Sequence, residues 1–306
     1  MQKAVFDQKQ AKQIIGFIRS GRQKECVLDS FHMEQMELFS DEALAIFVPI
    51  VVYWLYSALY LVLGKSMDKY RLHSRLEEDS KNLVSKRDVI TGVLLQQLVQ
   101  ASLATIVMLV TGDRSSGSSA EAVSSMKQTT SSYLILAWQF VVGMVVLDGW
   151  QYMWHRYLHQ NRFLYRHIHS WHHRLVVPYP YGTLYNHPAE GLLLDTMGGL
   201  LAFVVSGMSP RASIYFFSFC TVKAIDDHCG MMLPWNVFHR CFWNNTAYHD
   251  LHHQVRGGKY NFSQPFFVTW DKVFGTHMPY VVEARPEGGI QARPQKATVS
   301  CSDKQN

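Results

Sequence analysis

Residues 43–63 read ALAIFVPIVVYWLYSALYLVL, a run of 21 residues without a charged side chain. As an α-helix this run extends for roughly 31 Å, about the thickness of the hydrocarbon core of a bilayer. A buried helix in a soluble protein is the alternative, but such a helix normally keeps a polar face, and this run is apolar on every side. The sequence therefore predicts a transmembrane helix here.

The composition of the whole chain agrees with a membrane protein. Of its 306 residues, 48% are hydrophobic, 13% aromatic and only 17% charged. The net charge of +5 is too small to indicate nucleic-acid binding, and no nucleic-acid-binding motif occurs. Five cysteines, an odd number without a CxxC pair, make a disulfide framework improbable and suit a reducing cytosolic environment.

Further apolar segments and the loops between them define the topology. Residues 89–110 and 133–147 are apolar runs, while residues 191–208 and 212–222 are shorter and predict a helical hairpin that either crosses the membrane or dips into it. The loop 64–88 holds seven Lys and Arg residues and should be cytosolic, whereas the Ser-rich loop 111–132 holds two and should be lumenal. We expect an all-α integral membrane protein with about four transmembrane helices, counted as three spans plus the hairpin, and a cytosolic histidine-rich cap.

A few polar side chains lie inside the predicted spans. Gln96, Gln97 and Gln100 belong to the second span, and we expect their amides to face other helices because unpaired amides are unfavourable in lipid. Asp195 is the one ionisable residue within the spans. A metal transporter would normally carry more such residues there, so transport is a weaker interpretation.

Histidine is concentrated in one third of the chain. Twelve of the 15 histidines lie between residues 155 and 253, and their spacing forms one HxxxH motif and two HxxHH motifs. On a helix, residues at i, i+3 and i+4 share a face, so each motif can direct its imidazoles to a metal. The motif residues are His155 and His159, then His169, His172 and His173, then His249, His252 and His253.

Eight imidazoles exceed the four ligands of a tetrahedral zinc ion, so two metal ions fit better. His187 and His228, each at the predicted cytosolic end of a membrane segment, are candidates to complete the set. Imidazole suits iron, zinc, copper or nickel. Asp226, Asp227 and Asp250 are predicted to orient imidazole N–H groups by hydrogen bonding.

The residues around these histidines resemble those of a known family. The stretches are DGWQYMWHRYLH (148–159), HIHSWHH (167–173), YNHPAEG (185–191), DDHCG (226–230) and WNNTAYHDLHHQ (243–254). They are similar to the fatty acid hydroxylase superfamily of membrane di-iron enzymes, and within it to plant-type sphinganine 4-hydroxylases. The resemblance starts near Met36 and covers the region that would be catalytic.

The sequence pattern and this resemblance together predict a division of the chain. Residues 1–35 would be a poorly ordered N-terminal extension and residues 36–132 would hold the first two transmembrane helices and their loops. Residues 133–284 would form the catalytic domain and residues 285–306 a disordered tail.

The resemblance also implies a chemistry. Two iron ions would be held by the eight motif histidines with His187 and His228, and no catalytic residue beyond these metal ligands is expected. The enzyme would use O2 and electrons from NAD(P)H, delivered by cytochrome b5 and its reductase. It would hydroxylate carbon 4 of sphinganine or dihydroceramide at the endoplasmic reticulum membrane, with its histidines facing the cytosol.

Basic residues near the histidines suggest where an acidic electron donor would dock. They are Arg156, Arg162, Arg166, Arg174, Arg256 and Lys259, and binding of anionic lipid is an equal alternative for them. For the reaction, the alternatives are a sterol methyl oxidase or sterol desaturase of the same superfamily, an aldehyde- or hydrocarbon-forming relative, a membrane metal-binding or transport protein, and an inactive scaffold.

Overall fold

The computed structural model describes residues 40–115, 130–254 and 258–295. The chain divides into two units, residues 1–44 and 45–306, and the histidines discussed below lie in the second. The predicted N-terminal extension, residues 1–35, lies outside the described residues, as does Arg256.

The described part of the chain is mostly helical, as predicted. Its helices are α1 (Asp41–Leu63), α2 (Arg75–Lys81), α3 (Lys86–Ser115), α4 (Thr130–Gln160), α5 (Arg162–His167), α6 (Pro188–Gly191), α7 (Gly198–Ser206), α8 (Pro210–His228), α9 (Val237–Cys241), α10 (Thr246–His253) and α11 (Thr269–Val273). Short 3-10 helices cover Asp68–Tyr70, His169–Arg174 and Pro180–Gly182, and a π-helix covers Leu192–Met197. Two strands, β1 (Tyr280–Ala284) and β2 (Ile290–Pro294), form an antiparallel pair.

Four helical segments are long and apolar enough to cross a membrane: Asp41–Leu63, Lys86–Val110, Tyr133–Gln160 and Pro188–Ser206. Their outward side chains are large and apolar, as for Leu55, Leu98 and Trp138, which are more than half exposed. Apolar surfaces of this kind are typical of helices that face lipid. The predicted multi-pass membrane fold is therefore confirmed, and the fourth segment is the first arm of the predicted hairpin.

The fourth segment is continuous from α6 through the π-helix to α7. A π-helix has a wide turn that leaves some main-chain carbonyls without helical partners. Side chains of neighbouring helices supply the missing donors: Nε2 of Gln100 donates to the Gly191 carbonyl at 3.2 Å, and Nε1 of Trp150 donates to that of Leu193 at 2.7 Å. Gly207, with φ +64°, ends α7, and α8 begins after the Ser209 cap.

Glycine at position 191 allows close packing. A Cβ atom there would lie 1.7 Å from Nε2 of Gln96. The bare backbone lets the Gln96 amide of α3 lie directly against the start of the fourth segment.

Buried polar bonds hold the cap on the membrane helices. The Asp148 carboxylate of α4 accepts hydrogen bonds from the main-chain N–H groups of Phe266 and Phe267, at 3.0 and 2.6 Å. Lys223 of α8 is completely buried and donates to the carbonyls of Asn244 and Pro265, at 3.0 and 2.8 Å. These bonds fix the segments before and after α10 relative to α4 and α8.

The C-terminal region differs from the sequence prediction. A disordered tail is expected from residue 285, but residues 285–294 complete a β-hairpin whose turn uses Gly288 and Gly289 at positive φ. The hairpin is held by an ion pair of 2.5 Å between Arg285 and Glu77, and by a hydrogen bond from the Ile290 N–H to the Arg71 carbonyl. These partners lie over 200 residues away, so local composition does not reveal them. Residues beyond 295 lie outside the described part.

Candidate metal centre

The last turns of α4 direct two imidazoles inward. His155 and His159 are one helical turn apart, so both rings lie on the same face. Main-chain bonds continue α4 to Gln160, after which Asn161 caps α5 by accepting from the N–H groups of Phe163 and Leu164. The chain therefore turns back at once and brings the next motif beside the first.

The two HxxHH motifs adopt different helical forms. His169, His172 and His173 lie in the 3-10 helix His169–Arg174, whereas His249, His252 and His253 lie in α10. Asn245 fixes the start of α10, because its side-chain oxygen accepts from the N–H groups two and three residues later. Both motifs lie close to the end of α4.

Nine histidines converge into two groups. In each group one ligand nitrogen per histidine lies within 4.8 Å of all the others. The five-histidine group consists of His155, His159, His169, His173 and His252, and the four-histidine group of His172, His228, His249 and His253.

The division runs through the motifs. In each HxxHH motif the first and last histidines serve one group and the middle histidine serves the other. The prediction that all three share one face is therefore too simple. His169 and His173 belong to the five-histidine group, while His172 points to the four-histidine group.

Hydrogen bonds at Nδ1 orient six of these rings. The acceptors are main-chain carbonyls for His155 (Phe262, 2.8 Å), His172 (Tyr185, 3.2 Å), His228 (Ala224, 2.9 Å), His252 (Tyr260, 2.8 Å) and His253 (Leu175, 2.8 Å), and the Glu190 carboxylate for His169 (2.6 Å). A carbonyl only accepts, so Nδ1 carries the proton. The unprotonated lone pair is then on Nε2, which points into the group.

The Nε2 atoms approach one another closely. Nε2 of His169 lies 2.8 Å from that of His159 and 3.0 Å from that of His173. In the four-histidine group, Nε2 of His249 lies 3.0 Å from that of His228. Nε2 of His228 also lies 3.4 Å from that of His172, and both of these rings hold their proton on Nδ1, so two lone pairs meet in that contact. A cation between them is the arrangement that makes such contacts favourable.

Two buried nitrogen atoms without hydrogen-bond partners in the described structure also indicate a metal site. Nε2 of His155 and Nε2 of His252 are buried and have no hydrogen-bond partner among the described residues. Both belong to the five-histidine group. Buried polar atoms are nearly always partnered, so these two nitrogens fit a bound metal ion well.

Burial also keeps the rings neutral. It lowers the pKa of His172 to about 4, and with nearby imidazoles it lowers the pKa of His228 and of His252 to about 3. The pKa values of His173 and His253 fall well below the usual range for the same reasons. A neutral imidazole is the form that binds a metal, so the donor sets are ready at neutral pH.

Glu190 is a functional residue that the sequence reasoning missed. It is 3% exposed and is the carboxylate that holds the Nδ1 proton of His169. A carboxylate behind a metal-bound histidine increases the basicity of the ring and fixes its orientation. Its position three residues after His187, in YNHPAEG, is the only signal in the sequence.

His187 is the predicted ligand that the structure leaves outside both groups. Its Nδ1 accepts from the Ala189 N–H at 3.2 Å and caps α6, and its ring packs on Trp171 at 5.0 Å between centroids. The other nine predicted ligands are brought together.

The three predicted aspartates also contact other partners. Oδ2 of Asp226 lies 2.9 Å from Nε2 of His239, Asp227 pairs with Lys223 at 2.5 Å, and Asp250 bonds Nε2 of His73 at 2.9 Å. Each lies within two residues of a grouped histidine in sequence, but its side chain contacts a residue outside both groups. Carbonyl oxygens take the role that we expected of these aspartates.

The predicted docking residues divide by exposure. Arg162, Arg166, Arg174 and Lys259 are exposed. Arg156 is half-buried, donating to the hydroxyl of Tyr152 at 3.2 Å and lying over the ring of Phe274. The exposed residues flank the turn between α4 and the 3-10 helix that carries His169.

Comparison with known proteins gives the family. The sequence model of the family described as fatty acid hydroxylase matches residues 140–276. Sphinganine C4-monooxygenase 1 of Arabidopsis thaliana is 62% identical over 84% of this chain and 95% of its own length. The chain belongs to the fatty acid hydroxylase family.

Other members of the family carry different names. A protein of Oryza sativa subsp. indica named very-long-chain aldehyde decarbonylase GL1-9 is 57% identical over 83% of this chain and 96% of its own length. Sphingolipid C4-hydroxylase sur2 of Schizosaccharomyces pombe is 36% identical over 86% of this chain and 98% of its own length. A methylsterol monooxygenase of Gallus gallus is more distant, with 32% identity over 54% of each chain. No solved structure matches this chain.

The matched region of the family contains all nine grouped histidines and Glu190. The elements before it also reach the cap. His73, in the loop between α1 and α3, contacts both Asp250 and Gln254 at the end of α10. The part of the chain before the family match therefore supports the helix that supplies three of the histidines.

Proposed function

We propose that the two histidine groups bind two iron ions and that the protein hydroxylates carbon 4 of a long-chain sphingoid base, sphinganine or its N-acylated form, using O2. The observation that carries this proposal is the convergence of nine neutral imidazoles into two adjacent groups. The names of the Arabidopsis and Schizosaccharomyces relatives supply the substrate class.

The reaction requires a redox metal. An unactivated C–H bond does not react with acidic or basic side chains, and iron bound to imidazoles supplies the oxidising power for this step. The ligands would be the nine grouped histidines, with His187 left out of the set. Two ions share nine nitrogen donors more readily than one ion could hold them.

The protein contributes orientation and exclusion of water. Carbonyl oxygens and Glu190 hold Nδ1 protons, so the Nε2 lone pairs point inward without rotation. The rings of both groups are buried or nearly so, and His155 is 1% exposed. A dry site protects an oxidising centre from side reactions.

Electrons would come from NAD(P)H through cytochrome b5 and its reductase. The exposed cations Arg162, Arg166, Arg174 and Lys259 support docking of an acidic donor near the histidines. The basic loop 64–88 supports a cytosolic placement of the cap. The family and the lipid substrate support residence in the endoplasmic reticulum membrane. Charge reversal at Arg162 and Arg174 should slow reduction by cytochrome b5 at low salt, and an unchanged rate would contradict the docking site.

Aldehyde decarbonylation is a second candidate, because the rice relative with that name is 57% identical to this chain. The two reactions give different products from different lipids. A sterol reaction is supported less, since the sterol-acting relative covers only 54% of the chain.

Expression of the protein in cells that lack 4-hydroxylated long-chain bases tests the proposal. We expect trihydroxy bases to appear, with sterols and alkanes unchanged, and we expect His252→Ala to abolish them. New alkanes with loss of long aldehydes, or altered sterols without trihydroxy bases, would replace the proposal by the corresponding alternative. Metal analysis of the purified protein should find iron, and zinc alone would contradict the di-iron assignment.

A further inference from the structure

Asp195 is an acidic residue inside a membrane-spanning segment. It lies in the π-helix, where its Oδ1 accepts a hydrogen bond from Nε2 of Gln151 at 3.2 Å. Its Oδ2 is buried and has no hydrogen-bond partner among the described residues. Ionisable groups at this depth are unfavourable without a partner and usually mark a functional site, and π-helical turns are often found at such sites.

Other polar groups surround this carboxylate. Gln100 of α3 and Asn186 approach it, and Glu190 is near enough to interact with it electrostatically. Oε1 of Glu190 holds His169, but its Oε2 is buried and unpartnered within the described structure, as is Oδ1 of Asn186. Three acceptor atoms without partners among the described residues therefore belong to residues 186–195, the stretch that also carries the carboxylate bound to His169.

Gln96 gives an independent indication of a ligand. It is 0% exposed, its amide lies against Gly191, and neither Nε2 nor Oε1 has a partner in the described part of the chain. The next residue behaves differently, because Oε1 of Gln97 accepts from Nε1 of Trp54 at 2.9 Å. A completely buried amide with two unused groups is rare in proteins, so its donor and acceptor fit a polar ligand.

We propose that Asp195, Glu190 and Gln96 line a subsite for the polar head of the lipid substrate, and that this subsite takes the ammonium group of a free long-chain amino alcohol in preference to the amide of its N-acylated form. This inference rests on the proposed function. An ammonium group offers three donors and a positive charge to carboxylate oxygens that lack both, whereas an amide nitrogen offers one donor and no charge.

The position of the subsite agrees with the reaction. Glu190 contacts His169 through one carboxylate oxygen and presents the other to the subsite. In a sphingoid base the amine is on carbon 2, so only carbon 3 lies between the amine-bearing carbon and carbon 4. A head group bound here would therefore bring carbon 4 close to His169, a member of the five-histidine group.

Binding to the full-length, iron-loaded protein in lipid nanodiscs tests the inference. The probes are sphinganine and octadecylamine, which are cationic, and N-acetylsphinganine and octadecanol, which are neutral. We expect Asp195→Asn to weaken binding of both amines by about tenfold or more, since it removes a charge-assisted hydrogen bond. Binding of the neutral lipids should change little. Gln96→Leu should weaken binding of sphinganine, which has hydroxyl groups, more than that of octadecylamine.

Gln97→Leu is the matched control, because Gln97 is as deeply buried in the same helix but already bonds Trp54. We expect it to alter stability without altering the preference for amines. The inference is overturned if Asp195→Asn leaves amine binding unchanged, or weakens amines and neutral lipids equally. If Asp195→Asn does not fold, Gln96→Leu decides, and an unchanged affinity for sphinganine counts against the subsite.

The same proteins separate this inference from the proposed function. If the wild type forms trihydroxy bases but Asp195→Asn keeps the wild-type preference between sphinganine and dihydroceramide, the subsite is wrong and the proposed function stands. If the wild type binds octadecylamine through Asp195 but converts no sphingoid base, the proposed function is wrong and the cation site stands.

Discussion

Nδ1 of His169 donates a hydrogen bond of 2.6 Å to Oε1 of Glu190, and both side chains are buried. Five other grouped histidines donate to main-chain carbonyls instead. His169 is therefore the grouped ring for which the described structure shows a negatively charged acceptor. We therefore expect His169 to be more basic than the other grouped histidines. The rings held by carbonyl oxygens should not compensate for its loss.

Substitution of Glu190 should reduce metal occupancy. We expect Glu190→Ala to lower metal affinity by about 10- to 100-fold, because the acceptor behind the ring is lost. Glu190→Gln retains an acceptor oxygen and should lose less. Iron content and trihydroxy-base production measure both effects. If Glu190→Ala keeps full iron after dialysis against a chelator, the interaction with His169 is not important for binding.

Substitution of a grouped histidine and of a histidine outside the groups should affect iron content differently. We expect His155→Ala to lose iron from the five-histidine group, since Nε2 of His155 is orphaned without a metal. His187→Asn should keep its iron, because asparagine preserves the cap of α6 and His187 lies outside both groups. Iron per protein, measured by mass spectrometry, distinguishes the two. Loss of iron from His187→Asn would restore that residue to the ligand set.

The metal-free protein should lose stability in mild acid. The pKa values of His172, His228 and His252 are lowered to between about 3 and about 4 by burial, and in the unfolded chain they return to about 6.5. The unfolded state then binds more protons, so the stabilising effect is complete above about pH 6.5 and decreases as the pH falls toward 4. Thermal unfolding of the metal-free protein at pH 7.5 and pH 5 checks this. Equal midpoints would contradict burial of neutral rings.

Lys223 should be essential to the cap. It is completely buried, pairs with Asp227 at 2.5 Å and donates to two carbonyls. We expect Lys223→Met to destabilise the protein by about 3–5 kcal/mol, because a buried carboxylate loses its partner. The double variant Lys223→Met, Asp227→Leu should recover part of that loss. The unfolding midpoints of the wild type, the single variants and the double variant provide the test. If the destabilisation of the double variant equals the sum of those of Lys223→Met and Asp227→Leu, the two side chains do not stabilise each other.

The topology predicts a pattern of glycosylation. Asn244 and Asn261 lie in Asn-X-Ser/Thr sequons, but both are buried and belong to the cap predicted to be cytosolic. We expect neither to carry a glycan, and we expect a sequon introduced near Ser118, in the predicted lumenal loop, to be modified. Mobility before and after glycosidase treatment measures this. Modification at Asn261 would place the cap on the lumenal side and contradict the predicted orientation.

Most of the fold and much of the site were predictable from local patterns. Uncharged runs of about 20 residues identify membrane segments without tertiary information, and nine of the ten proposed ligands come together in the structure. His187 differs because its proline-flanked position makes it a helix cap, and spacing alone cannot distinguish a cap from a ligand. Asp226 and Asp250 were chosen for closeness in sequence, but on a helix adjacent residues point in different directions.

What spacing could not reveal is the division of each HxxHH motif between two groups. That division depends on where α4 and α8 end relative to the motifs, which is a property of packing. Glu190 was missed for a similar reason, since 21 residues separate it from His169.

The shared motifs have a consequence for assembly of the centre. The 3-10 helix and α10 each carry ligands for both groups, so a rotation of either element displaces donors from both at once. Loss of one ion frees three or more rings on elements that also hold the other. We therefore expect iron to be taken up cooperatively, with few singly loaded molecules during titration. In evolutionary terms, the two ions would then form a single trait that is kept or lost as a pair.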